Sequence, residues 1–372
     1  MRLDKNQQAF FALVKAGLWE KDVRLLPFGN IDFKIVCSLA EEQSVIGLVA
    51  AGLEHVVDFK VPQEVVLQFV GQTLQLEQRN KSMNEFIGHL FDKLDREGIH
   101  AILIKGQGIA QCYERPQWRT SGDVDLLLDN ENYVKAKFVF EDIASRVGDE
   151  LIERLHQDYS LGAWEVELHG TFRTGLWKNL DKVIDGVQNI IFLNGGVRYW
   201  KNGNNHVPLP NPDDDVIFLF SHIIQHFFKG GIGLRQISDW CRLLWTYKES
   251  IDYKLLESRL NKAGLVSEWK AFSSLVVDTL GMPTETMPLY ENTDRWRRKS
   301  HRILAFIMET GNFGHSRDYS YFEKYSFVIR KIISLWRHTK DSLRLLFIFP
   351  LDSILVWGQM FGYGVRQALV GK

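Results

Sequence analysis

The chain has 372 residues, 45% of them apolar and 24% charged, which excludes a disordered or fibrous protein and is long enough for two or three packed units. Its 45 Lys and Arg balance 46 Asp and Glu, so no global field draws it onto nucleic acid or an anionic membrane, and any anionic ligand must be held locally. Cys37, Cys112 and Cys241 stand far apart with no CxxC spacing, which argues against a disulfide framework or a cysteine zinc site and fits a reducing cytoplasm.

The first residues lack the apolar run of a signal peptide. From residue 7 to about 96 the apolar positions recur at helical spacing with breaks at Pro27 and Pro62, so three or four helices are expected there, the last one long, over about 62 to 95. The pattern then changes: 100 to 104 reads as a strand, 105 to 108 as a turn and the stretch to Tyr113 as a short helix. A second strand is expected at 124 to 128, a helix at 132 to 146, strands at 159 to 163 and 164 to 168, and a strand pair at 189 to 193 and 196 to 199.

Pro208, Pro210 and Pro212 are expected to close this mixed sheet unit, and helices resume behind Asp213, Asp214 and Asp215, to about 280 and again after Trp296. The fold class is therefore α+β: an α/β core at 98–212 between helical units at 1–97 and 213–372. The stretch 345 to 365 is apolar and follows basic residues. Pro350, Asp352 and Gln359 interrupt it, which favours a buried or interface helix pair over membrane contact.

The chemistry concentrates at RTSGDVDLLL, residues 119 to 128. Residues two apart on a strand share a face with α-carbons roughly 6.6 Å apart, so Asp123 and Asp125 aim two carboxylates at one spot. Two like charges this close repel, and a divalent cation relieves the conflict; oxygen donors favour Mg2+ or Mn2+. The segment WEVELH, 164 to 169, offers a third acid. Glu165 and Glu167 lie on the same face and periodicity does not separate them, although Glu167 is favoured. Gly170 is expected to end the strand before His169 shares that face, and His169 is given no role.

Upstream, Lys105, Gly106, Gln107 and Gly108 form a strand-to-helix turn in which small residues admit a ligand close to the backbone. It is neither a Rossmann fingerprint, since Gln111 stands where a third glycine is needed, nor a Walker loop. Arg119 precedes Asp123 by four residues, where it can neutralise a phosphate or pair with Asp123.

An apolar strand, a glycine turn, a short helix, Asp-x-Asp on the next strand and a later acid resemble the nucleotidyltransferase superfamily that includes DNA polymerase β. More narrowly, Ile104, Lys105 and Gly106 and an Arg before Asp-x-Asp resemble an uncharacterised bacterial nucleotidyltransferase-like family within it. The likeness covers about 98 to 170, with a looser one over 221 to 244. It implies metal roles for Asp123, Asp125 and Glu167 and nucleotide contact at Lys105, Gly106, Gln107, Arg119 and Gly122. It also implies transfer of a nucleotidyl group from a nucleoside triphosphate to a hydroxyl acceptor whose identity stays open. Gln107 departs from the small Gly or Ser usual in the wider superfamily, which keeps a rival open: a nucleotide-binding or interaction module with the same fold and no transfer.

His222 and His226 stand one helical turn apart, a spacing that suits a transition metal, but no Glu lies between them as a zinc protease requires. A packed pair is the plainer reading, with substrate contact across the cleft and a histidine-centred metallohydrolase as alternatives. Arg235 and Asp239, four apart, are expected to form a helical ion pair, with substrate contact open to Arg235. No basic and aromatic interleaving marks a nucleic-acid surface.

Overall fold

The computed structural model describes residues 3–312 and 325–370. Four helices open the chain: α1 (Lys5–Trp19), α2 (Phe33–Glu42), α3 (Ile46–Glu54) and α4 (Gln63–Arg96). Asp4 caps α1 by accepting from the Gln7 amide, and the Gln7 side chain bonds back to the Asp4 amide, so both ends of a capping box are present. Helices α1 and α3 cross on glycines. A Cβ at Gly17 would lie 2.0 Å from the Leu48 carbonyl oxygen, and one at Gly52 2.1 Å from that of Leu13, so the two backbones touch directly.

The described residues hold a five-stranded sheet built from β1 (Ile102–Ile104), β2 (Val124–Leu127), β3 (Arg146–Val147), β4 (His156–Leu161) and β5 (Trp164–His169). Its order is β1-β2-β5-β4-β3; β2 and β5 run parallel and the other neighbours antiparallel, giving the mixed sheet of an α+β fold. Helix α5 (Gly106–Ala110) follows β1 and α6 (Asn130–Ile143) follows β2.

Alternation along β2 and β5 sorts the sheet into two faces. Val124, Leu126, Val166 and Leu168 pack with Met83, Ile87 and Leu90 of α4 and Tyr133, Ala136 and Phe140 of α6. Ile102, Ile104 and Leu127 face the opposite way, into a second cluster that draws on helices from both ends of the chain. Asp125, Glu167 and His169 emerge on this second face.

The expected strand pair at 189 to 193 and 196 to 199 is corrected. Residues 189 to 193 are the last turns of α7 (Lys178–Asn194), in which Leu180, Ile184, Val187 and Ile191 are buried at helical spacing. The strand pair is β6 (Val197–Asn202) with β7 (Asn205–Pro210); Pro208 and Pro210 lie in its second strand, which ends at Pro210, and Pro212 begins the helix that follows. A two-stranded ribbon tolerates them because each strand is an edge and the lost N–H groups need no second neighbour.

Next come α8 (Pro212–Lys229), α9 (Leu234–Thr246), α10 (Tyr253–Ala263), α11 (Val266–Leu280) and α12 (Asp294–Thr310), then helices Phe327–Leu345 and Pro350–Val370. Pro212 starts α8 with Asp213, Asp214 and Asp215 in the first turn, where the helix dipole favours negative charge. Asp214 pairs with Arg259 at 2.8 Å and Asp215 with Arg198 at 2.7 Å. Of the helical stretch expected after Trp296, residues 313–324 lie outside the described ones. Among the described residues, no helix is long and apolar enough to cross a membrane. Cys37, Cys112 and Cys241 are free and buried.

Candidate active site

Strand register assembles the acids. Ile104 of β1 sits opposite Asp125 of β2, Asp125 opposite Glu167 of β5, and Glu167 opposite Asp158 of β4, so three carboxylates from three strands form one row across the sheet. Asp123 stands two residues before Asp125, at the mouth of β2. Glu165 shares the Glu167 face but turns to Arg146 at 2.8 Å and to the Ser160 hydroxyl at 2.6 Å, at the exposed rim. Glu167 is thus the acid beside the two aspartates.

The row is not bare of positive charge. Lys105 leaves β1 with φ 57°, a strained backbone for a side-chain-bearing residue, followed by Gly106 at φ 44°. That bend carries the Lys105 ammonium to 2.7 Å from Asp125 Oδ1. Its Nζ also lies 5.4 Å from the centre of the Phe172 ring. On the same Oδ1, His169 places Nε2 at 3.0 Å, and that Nε2 lies 3.3 Å from Glu167 Oε2. His156 adds its Nε2 at 3.3 Å from Glu167 and 3.4 Å from Asp158. The expectation that β5 stops before His169 is therefore corrected: pairing with His156 keeps the strand going to His169, and the Gly170 amide continues by donating to the Leu155 carbonyl at 2.7 Å.

The electrostatic consequences differ by residue. Asp123, exposed to the cavity yet partly desolvated by the groups around it, is pushed up to about 6, first by that desolvation and then by the charges of Glu167 and Asp125. Burial works the same way on Glu167. Hydrogen bonds from His156 and His169 and the charge of Lys105 outweigh it and hold that carboxyl well below the usual range. Burial opposes the charge of His169, but its bonds to Asp125 and Glu167 raise it.

A cavity of about 430 Å³ opens over this row, lined by Asp123, Asp125 and Glu167 together with His222, His226 and Arg235 of α8 and α9. Gly106 and Gly122 line it without side chains, and a Cβ at Gly122 would come no nearer than 3.8 Å to Arg235 Nη1. The rings of His222 and His226 are 4.3 Å apart, and Phe172 stacks on His222 at 6.1 Å. Burial and the nearby Lys105 charge lower both histidines, His226 to about 3, so they face the cavity as neutral imidazoles at pH 7. Burial and the Arg119 charge lower Arg235 to about 10.

Arg119 and Gln107 have partners that their sequence positions did not suggest. Arg119 does not reach Asp123. Its Nε and Nη2 bond both carboxylate oxygens of Asp239, each at 2.7 Å, and the Tyr113 hydroxyl donates to the same carboxylate at 2.8 Å. Arg235, four residues before Asp239, feels the charge of that carboxylate and donates to the Thr120 carbonyl at 3.3 Å. Gln107 is buried, with its amide donating to Asn80 Oδ1 at 2.8 Å. Asn80 in turn donates to the Gln117 and Arg119 carbonyls at 2.7 and 2.8 Å, so the Gln107 side chain ties α4 to the loop that delivers Asp123 and turns away from the cavity.

Sequence reasoning passed over His156, His169 and Asp158. A usable signal existed: counting outward from the Gly162 turn between β4 and β5 pairs Asp158 with Glu167 and His156 with His169. The family sequence profile described as "Uncharacterised nucleotidyltransferase" matches residues 29–279. No curated protein and no solved structure matches the chain.

Proposed function

The chain belongs to the uncharacterised nucleotidyltransferase family, and from that premise we propose that this cavity transfers a nucleotidyl group from a nucleoside triphosphate to a hydroxyl acceptor. Asp123, Asp125 and Glu167 would hold Mg2+ or Mn2+. The observation that carries the reading is the register of β2 against β5, which sets Asp125 beside Glu167 with Asp123 at the strand mouth, all three lining the cavity.

The donor set fits such an ion. All three groups are hard oxygen ligands, and Asp123, raised first by desolvation and then by the charges of Glu167 and Asp125, is a carboxylate whose ionised form a divalent cation would favour. When bound, such an ion acts as a Lewis acid on phosphate oxygens and stabilises the charge of the leaving group.

The rest falls to the protein. Lys105 and Arg235 both line the cavity as cationic donors to phosphate. Glu167, held ionised by His156 and His169, suits ligation better than proton abstraction. The neutral imidazoles of His222 and His226 can accept a hydrogen bond from an acceptor hydroxyl, and their position in the same cavity as the acids fits substrate contact better than a zinc pair. The rival, a nucleotide-binding module without transfer, draws its support from Gln107, whose side chain is sealed against Asn80.

Titration calorimetry with each nucleoside triphosphate in the presence of Mg2+ tests the reading. Binding by the wild type and a loss of about tenfold or more in Asp125→Asn, with an unchanged circular dichroism spectrum, are expected. No binding of any triphosphate would refute it.

A further inference from the structure

His156, Glu167 and His169 offer three ligand atoms that all lie within 4.8 Å of one another. The two Nε2 atoms each stand 3.3 Å from the same Glu167 oxygen, and Asp158 Oδ1 is 3.4 Å from His156 Nε2. These contacts sit at the long edge of N–H···O hydrogen bonds, and His169 Nε2 also lies 3.0 Å from Asp125 Oδ1. Ligand bonds of about 2.0 to 2.2 Å in a tetrahedral shell give ligand-to-ligand edges of roughly 3.3 to 3.6 Å, the separation found here. The strands impose this spacing: His156 is the register partner of His169, and Asp158 that of Glu167, across one antiparallel pair.

We propose that His156, Glu167 and His169, with Asp158 at the rim, form a second cation site selective for a first-row transition ion such as Mn2+, Co2+ or Zn2+. Two imidazole nitrogens and a carboxylate are a donor set that suits these ions, whereas magnesium takes oxygen ligands and keeps its waters. The site shares Glu167 with the all-oxygen site of Asp123 and Asp125. It goes beyond the transfer reading and does not require it, since a transition ion can bind here whether or not nucleotide is turned over.

The test is Co2+ titration of tag-free protein followed by visible absorption, with X-ray absorption spectroscopy of the bound ion to count imidazole ligands. Wild type is expected to bind Co2+ with histidine nitrogen in its shell. His156→Ala and His169→Ala are each expected to weaken binding by about tenfold or more, while Asp123→Asn and His222→Ala keep an imidazole-bearing shell. A wild-type shell of oxygen ligands alone overturns the proposal. So does unchanged Co2+ affinity in both His156→Ala and His169→Ala, or imidazole ligation that disappears in His222→Ala and not in them. If a variant fails to fold by circular dichroism, the wild-type shell decides. Co2+ ligation without nucleotide binding would sink the transfer reading and leave this one standing; nucleotide binding without imidazole-ligated Co2+ would do the reverse.

Discussion

Removing the Asp239 carboxylate should cost this protein more stability than removing any of the proposed metal ligands. Arg119 and Asp239 have side chains only 7% and 3% exposed, and two bonds of 2.7 Å join them fork to fork. The Tyr113 hydroxyl depends on the same carboxylate. Asp239→Ala therefore leaves a buried guanidinium and a buried phenol without their acceptor, a loss of about 3 to 5 kcal/mol. The partners are 120 residues apart, so the pair clamps α9 to the loop that leads into Asp123. Urea unfolding followed by tryptophan fluorescence gives the number. The double variant Arg119→Met with Asp239→Leu should recover most of the loss, because it strands no charge. A cost below about 1 kcal/mol for Asp239→Ala, or a double variant no better than the single, would refute the claim that this pair is a buried clamp.

Asp123→Asn should stabilise the metal-free protein. Its carboxyl is raised to about 6, so the fold favours the neutral form; the cost of the charge is present above pH 6 and gone below about pH 4. Asp123 is exposed to the cavity, so solvent screening cuts the gain to about 1 kcal/mol at pH 8, and urea midpoints at pH 8 and pH 4 should show the difference disappear. Gly52→Ala drives a methyl to 2.1 Å from the Leu13 carbonyl oxygen and should cost about 3 kcal/mol or more, despite the better helix propensity of alanine; a neutral result in the same unfolding assay would contradict the α1–α3 crossing. His222 and His226 should show no titration between pH 5 and 8 by NMR of their ring carbons, whereas a midpoint near 6.5 at either would contradict their buried, cation-facing setting.

What the sequence made legible follows the range of the interactions involved. Period-two alternation was enough to put Asp123 and Asp125 on one face, and helical spacing marked α4 as the layer behind the sheet. Choosing Glu167 over Glu165 needs the partner strand, because both point the same way and only register sets Glu167 beside Asp125. The run Asn189 to Leu193 looks like a strand by its β-branched content, yet Leu180, Ile184, Val187 and Ile191 already carry the helical period that the fold uses. His169 was given no role because Gly170 reads as a stop; cross-strand pairing overrides that local preference. The bidentate partner of Asp239 is Arg119, in a distant loop that no local pattern identifies.

The central claim is that the cavity over Asp123, Asp125 and Glu167 transfers a nucleotidyl group. Its most direct measurement incubates the protein with α-labelled nucleoside triphosphates, Mg2+ and a metabolite and protein extract, and follows both pyrophosphate release and the fate of the label. The account expects label to pass to a hydroxyl-bearing acceptor with equal release of pyrophosphate, abolished in Asp125→Asn with the fold intact. Nucleotide binding with no pyrophosphate release under any of these conditions, or turnover that survives Asp125→Asn, would contradict it.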